Sequence, residues 1–192
     1  MPDSRKERLA FDYREMLKIQ NRPYLSWIAA KGELPYVQEY LLTVKLRTYV
    51  FSAEKGKCTV GAIRRCTIRV TLWDSYPETA PYICMLDIPP VFHPEWYSKG
   101  TYCPSEPWRP EDSLKDHILR MLEGLRYGPS LTETDTPANY KAQDWYSMNR
   151  DNAALFPSDH TQLTENTPEE IDAVEKASDP FMEIVDSWTV SH

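Results

Sequence analysis

One cysteine stands where a cysteine could act rather than pack. Cys103 lies in Ser98-Lys99-Gly100-Thr101-Tyr102-Cys103-Pro104, within a stretch from Pro89 to Pro110 that loses hydrophobic periodicity and holds six prolines. The thiolate is a strong nucleophile, so a cysteine displayed on an ordered loop points to acyl-transfer chemistry. Cys58, Cys66 and Cys84 fall on alternating strand patterns or at a strand start, where cysteine behaves as a small buried hydrophobe. For a Cys–His pair the chain offers His93, His117 and His160 as bases, and spacing selects none of them. His93-Pro94-Glu95 matches the H-x-E half of a zinc nucleobase-deaminase signature, but the P-C-x-x-C half is missing because Cys103 is followed by Pro104, Ser105 and Glu106. No metal site is expected.

Such a residue needs a scaffold, and the flanking patterns predict one. Ser4 and Glu7 form an S-x-x-E capping box, and Leu9, Tyr13, Met16, Leu17 and Gln20 repeat with helical spacing, which predicts an amphipathic helix over residues 4–20. After a loop with Pro23, Gly32 and Pro35 the period becomes two: Tyr40, Leu42, Val44, Leu46 and Val50 against Glu39, Thr43, Lys45 and Arg47 read as a half-buried strand. Glu54-Lys55-Gly56-Lys57 turns the chain, and further alternations follow at Cys66, Ile68, Val70, Leu72 and at Tyr82, Cys84, Leu86, Ile88. Short links predict an antiparallel meander. The segment from Pro89 to Pro110 exceeds the usual loop length of about 12–15 residues, and Trp96, Tyr97 and Tyr102 argue that it is ordered and functional. A helix starts at the Ser113-x-x-Asp116 cap, carries Leu114, Ile118, Met121, Leu122 and Leu125 on one stripe, and stops at Gly128-Pro129. Another takes Thr136 as cap and Pro137 as first helical residue, with Ala138, Ala142, Trp145, Tyr146 and Asn149 on one face. The fold class is α+β: an antiparallel sheet meander with an N-terminal helix and C-terminal helices.

Composition bounds what this scaffold can be. The chain has 192 residues, 41% hydrophobic and 12% aromatic, enough for one packed domain, assigned to 1–156, and a tail, 157–192. The tail holds nine acids and one base, Lys176, of the chain's 29 and 22, which leaves 20 acids against 21 bases in the body. A body so nearly neutral lacks the basic surplus that nucleic acid requires, so no nucleic-acid partner is expected. In the tail, Thr167-Pro168-Glu169-Glu170 reads as a helix start, and Phe181, Ile184, Val185 and Trp188 share one apolar face that docks on the body or on a partner. The charged first twenty residues exclude a signal peptide, and no apolar run reaches the roughly 18–20 residues of a membrane span. Four sparse cysteines without a C-x-x-C pair suit reduced thiols, so a cytoplasmic location is expected.

Five motifs in order resemble the ubiquitin-conjugating enzymes, over about residues 4–156. Tyr76-Pro77-Glu78-Thr79-Ala80-Pro81 is similar to the family's Y-P-x-x-P-P segment, and His93-Pro94-Glu95 stands where the family has H-P-N. Gly100 and Cys103 follow at the family's spacing, Trp108-Arg109-Pro110 resembles its W-x-P element, and Pro137-Ala138-Asn139 with Ala142, Trp145 and Tyr146 resembles its P-L-N-x-x-A segment. The resemblance implies a thioester carrier without cofactor: Cys103 takes a ubiquitin-like protein from an activating enzyme and passes it to an amine, usually a lysine, of a target protein. It implies that His93 and Pro94 are structural, that Asp135 orients the lysine (a strict alignment puts Thr136 there), and that the basic first helix, with Arg5, Lys6, Arg8, Arg14 and Lys18, docks the activating enzyme. Loops at Tyr76 and Trp108 match those that contact ligases, though the two rings themselves also suit packing. Glu95 replaces an asparagine credited with steadying the oxyanion or the loop; a carboxylate cannot donate, so it points away or another donor, Trp96, Asn139 or a backbone N–H, substitutes. The missing asparagine resembles the divergent branch of bacterial antiviral operons, where an immune nucleotide cyclase or a viral protein would be the target. Two other readings stand beside this one: a catalytically inactive binding module or adaptor of the same fold, and a Cys–His hydrolase.

Overall fold

The computed structural model describes residues 4–54, 57–128 and 136–177. Asp135 and the apolar residues Phe181, Ile184, Val185 and Trp188 lie outside the described residues. Helix α1 spans Ser4–Leu17. It ends earlier than the apolar spacing predicts because residues 18–20 tighten into a turn and Asn21 takes a left-handed φ of 56°. Strands β1 (Leu25–Lys31), β2 (Glu39–Val44), β5 (Cys66–Thr71) and β6 (Tyr82–Met85) form a four-stranded antiparallel sheet in the order β1-β2-β5-β6. Strands β3 (Thr48–Glu54) and β4 (Lys57–Ile63) make a separate two-stranded hairpin. Helices α2 (Leu114–Leu125), α3 (Tyr140–Asn149) and α4 (Pro168–Ala177) complete the chain. Among the described residues no helix is long and apolar enough to cross a membrane.

Two strands depart from the sequence reading. β1 was legible only as loop because it is an edge strand whose last four residues are all exposed, so its sequence carries no alternation. The continuous strand expected over Tyr40–Val50 breaks between Val44 and Thr48. There the Arg47 N–H donates to Asp159 Oδ2 at 2.8 Å and the Thr48 hydroxyl donates to the Leu125 carbonyl at 2.7 Å, so the chain leaves the sheet to reach α2 and the acidic segment. Helix α3 begins three residues after the expected start. Asn139, not Thr136, is its cap, with its side-chain oxygen accepting from Ala142 N–H at 3.2 Å.

The core lies between the sheet and helices α1 and α2. Tyr13, Met16 and Leu17 of α1 and Leu114, Ile118, Met121, Leu122 and Leu125 of α2 pack on Trp27, Tyr40, Leu42, Ile68 and Val70 of the sheet. Trp27 meets Tyr13 and Tyr40 edge-on at 6.0 and 5.1 Å, a preferred aromatic geometry. A second cluster of Tyr49, Tyr127 and Phe156 with Trp145 and Tyr146 holds α3 against the hairpin.

The acidic segment through Ala177 is sewn to this body. Ser158 donates to the Arg47 carbonyl at 2.5 Å, Lys115 Nζ pairs with Glu165 at 2.6 Å, and Tyr24 OH donates to the Thr164 carbonyl at 2.9 Å. Asn166 Nδ2 donates to the Leu17 and Gln20 carbonyls, both at 2.8 Å, which caps the C-terminal end of α1. Ile171 and Val174 of α4 pack against the core.

One buried charge network joins α1 to the start of α2. Asp12, wholly buried, accepts from Arg8 Nε at 2.6 Å, Tyr76 OH at 2.5 Å and Leu114 N–H at 3.0 Å. Arg8 also donates to Tyr76 OH at 2.9 Å and to the carbonyls of Pro110 and Asp112, and its guanidinium lies over the Tyr76 and Trp108 rings. Arg8→Ala would strand a buried carboxylate, and we expect it to lower the unfolding free energy by about 3 kcal/mol and the melting midpoint by about 6–12 °C. Thermal denaturation checks this; a loss under about 1 kcal/mol would mean the pair behaves as an exposed one.

Candidate active site

The segment around Cys103 becomes ordered by adding itself to the sheet. Gly100 takes a φ of 89°, and a Cβ there would come within 3.0 Å of the Met85 carbonyl, so glycine is needed at this turn. From there the chain runs antiparallel to β6: Met85 N–H donates to the Gly100 carbonyl at 2.8 Å and Tyr102 N–H to the Ile83 carbonyl at 3.0 Å. On its other side it pairs with residues 95–97: Tyr97 N–H donates to the Thr101 carbonyl at 2.9 Å and Cys103 N–H to the Glu95 carbonyl at 2.7 Å. Trp96 and Tyr102 form the cross-strand pair facing inward, rings 5.2 Å apart, with Trp96 fully buried. Alternation then puts Tyr97 and Cys103 on the opposite face.

Cys103 is half-buried and lines a groove of about 100 Å³ with Pro94, Glu95, Thr136, Pro137 and Ala138. Glu95, Pro104 and Ser105 also form a wall of a second cleft of about 80 Å³ lined by Tyr102, His117, Arg120 and Gly124. Cys66 is buried, with its thiol pushed up to about 12 by burial, whereas Cys84 is half-exposed and departs from the buried reading of a strand cysteine. The Cys58 side chain lies outside the described residues.

The loop is fastened to α2. His93 is wholly buried; its Nδ1 accepts from Glu95 N–H at 3.1 Å, so Nε2 carries the proton and donates to the Gly124 carbonyl at 2.7 Å. Burial holds this imidazole down at about 3. The Glu95 carboxylate is buried and accepts from Ser105 N–H at 3.0 Å through Oε1. His117 lies edge-on to Tyr102 and Trp108 at 6.0 and 5.3 Å, with burial holding its pKa near 4. Among the described residues no imidazole is hydrogen-bonded to Cys103.

Several residues singled out from sequence have other engagements. Arg5 donates to the Leu72 and Trp73 carbonyls at 3.3 and 3.2 Å, and Arg8 is held in the Asp12 network, so neither belongs to a free docking face; Lys6 and Arg14 are the exposed bases of α1. Tyr76 is 2% exposed and serves packing and the Asp12 network. Trp108 is half-buried, stacked near Tyr76 at 5.6 Å with its indole N–H donating to the Pro77 carbonyl at 2.7 Å. Asn139 uses its amide oxygen to cap α3 and its N–H on the Pro94 carbonyl at 3.1 Å, so it ties α3 to the loop. The indole N–H of Trp96 is sealed in the interior without a partner. Tyr97 is a residue that the sequence reading noted only as an aromatic: it is 46% exposed, and its hydrogen-bonding interaction with Cys103 raises the phenol's pKa. Its position could have been read from the Gly100 turn, which pairs 97 with 101 and so brings it onto the face of 103.

An antiparallel meander backed by helices, with a cysteine on the extended edge after a histidine–proline turn, defines the ubiquitin-conjugating-enzyme fold. The chain matches a solved ubiquitin-conjugating enzyme structure from Trypanosoma cruzi with a TM-score of 0.50 and 18% identity, over 76% of this chain and 92% of that one. In sequence it is 33% identical over 88 residues to the SUMO-conjugating enzyme UBC9 of Caenorhabditis elegans, covering 43% of this chain. The chain spans about half, 49%, of the length of this curated relative. No protein-family model matches. The structural likeness shows the fold of the ubiquitin-conjugating enzymes, and the sequence likeness to a conjugating enzyme covers part of the chain.

The two buried imidazoles make stability depend on pH. Folded, both stay neutral down to about 3 and 4. Unfolded, each binds a proton below about 6.5. Stability is therefore full above that pH and falls as the pH drops from about 6.5 toward 4, with a slope of up to about 1.4 kcal/mol per pH unit for each ring. Denaturation midpoints between pH 7 and 4.5 check this, and His117→Gln should roughly halve the slope.

Proposed function

We propose that Cys103 carries a ubiquitin-like protein as a thioester. The Cys103 thiolate attacks the carbonyl of that protein's thioester on an activating enzyme, the new C–S bond forms, and the enzyme's thiolate leaves. A lysine amine of a target then attacks the Cys103 thioester, loses a proton as the C–N bond forms, and expels the thiolate. Neither exchange changes oxidation state or calls for a metal. The single observation that supports this most is that Cys103 lines a groove while the extended segment that carries it, 100–103, is hydrogen-bonded on both sides. An adaptor would need neither. Among the described residues, a Cys–His hydrolase gains no support from His93 and His117, which are engaged elsewhere, or from His160, which is exposed on the acidic segment.

Each exchange passes through a tetrahedral oxyanion that wants hydrogen-bond donors. Cys103 N–H and Ser105 N–H are both engaged by Glu95, and Pro104 has none. The exposed Tyr97 phenol, which strand register places on the same face as Cys103, is a neutral donor open to the site, and we assign it to the oxyanion. The activating enzyme would meet α1 at Lys6 and Arg14. A setting in bacterial antiviral defence, with an immune nucleotide cyclase or a viral protein as target, rests on the family resemblance alone.

Incubation with the activating enzyme, ATP and the ubiquitin-like protein of the same genome should give a reductant-sensitive adduct. Cys103→Ala should abolish it and Cys103→Ser convert it to a reductant-stable ester; an adduct that survives Cys103→Ala sinks the reading. Tyr97→Phe should load normally and discharge to free lysine about tenfold more slowly.

A further inference from the structure

Gly124 sits inside α2, where glycine weakens a helix relative to alanine, and its φ is not one that glycine alone can adopt. The reason for it lies across the interface. A Cβ at Gly124 would stand 2.7 Å from Glu95 Oε2, closer than real Cβ contacts come. The carboxylate is not free to step aside: it is buried, and its other oxygen holds Ser105 N–H at 3.0 Å. To clear an alanine it would have to release Ser105.

We propose that Gly124 is the seat of the Glu95 carboxylate, and that Glu95 is a positioning residue that fixes the direction in which the chain leaves Cys103. Two of its oxygens make the brace: the main-chain carbonyl takes Cys103 N–H at 2.7 Å and the carboxylate takes Ser105 N–H at 3.0 Å. Between them Pro104 has a fixed φ, so three successive residues at the sulfur have little freedom. A sulfur so held needs little reorganisation to meet a carbonyl. Length is what selects glutamate. Asparagine, one methylene shorter from the same Cα, would leave either the α2 seat empty or Ser105 N–H unpaired. The assignment also gives the carboxylate a task other than acid–base chemistry, and it rests on Cys103 being the acyl carrier.

The test is a cycle of four proteins: the natural chain, Gly124→Ala, Glu95→Ala and the double variant. In the natural background Gly124→Ala should lower the melting midpoint by several degrees and slow discharge to free lysine about tenfold. In the Glu95→Ala background the same change should raise the midpoint, because only the helix preference remains. Glu95→Gln still accepts from Ser105 and should keep discharge within about threefold, while Glu95→Asn and Glu95→Ala should each lose about tenfold. If the carboxylate instead opposed the oxyanion, Glu95→Asn would speed discharge, and the proposal would be overturned. Exchange of the Ser105 amide hydrogen, read by NMR without any partner protein, should quicken at least about tenfold in Glu95→Ala and not in Glu95→Gln. A stabilising Gly124→Ala in the natural chain, or unchanged Ser105 exchange in Glu95→Ala, overturns the seat. A natural chain that takes no thioester but shows the midpoint reversal and the exchange pattern would instead refute the carrier reading and leave the seat standing.

Discussion

The last turn of α2 is the fixed point from which the Cys103 loop hangs. Its carbonyls are met first by the N–H groups of residues 126–128 and then, through their second lone pairs, by donors from elsewhere in the chain. His93 supplies one at Gly124, where a buried neutral imidazole donates as a dipole without carrying a charge into the interior. Tyr127 OH donates to the Phe92 carbonyl just before that histidine, and the Thr48 hydroxyl takes the Leu125 carbonyl. The other end of α2 is held as firmly, since Asp12 of α1 accepts the Leu114 N–H and Ser113 caps the helix at Asp116. α1, α2 and the loop are therefore joined into one hydrogen-bonded unit.

The acidic segment belongs to this unit as far as Ala177. Its first residues close the gap where β2 gives way to β3, its middle caps α1, and its helix packs on the core. A boundary at residue 156 marks a change of charge rather than a change of fold. Lys115 shows the coupling well: it is a nearly buried cation of α2 with carboxylates from α1 and the acidic segment, Glu15 and Glu165, on either side. Acids of the tail in part neutralise bases of the body.

What could be read from sequence follows from periodicity. α2 and β5 each bury one face and expose the other, so their patterns carry the fold directly. β1 buries only Leu25 and Trp27 before four exposed residues, too short a run to show a period. Cys103 was legible because the loss of periodicity around it, together with a glycine and prolines, marks an ordered loop. The roles of charged residues were the hardest to read. Arg5 and Arg8 look like an exposed basic stripe in a helix taken alone, and only the return of residues 72–76 and 108–112 turns them into internal clamps. Asn139 was found by motif, and the structure gives it a cap on α3 and a tie to the Pro94 carbonyl, which no local pattern displays.

The carboxylate at Glu95 is not there for favourable electrostatics. It lies against the C-terminal turn of α2, where the helix dipole presents its negative end, which disfavours an anion. Arg120 lines the same cleft and offsets part of that, but it is shared with Glu106 and Asp112. What Glu95 supplies is reach: from the strand beside Cys103 to the amide two residues beyond it, over a helix turn with no side chain at Gly124. The result is a division of labour among the groups around the sulfur. The Cys103 and Ser105 amides are committed to holding the chain on Glu95, while the Tyr97 phenol of the neighbouring strand stays open to solvent.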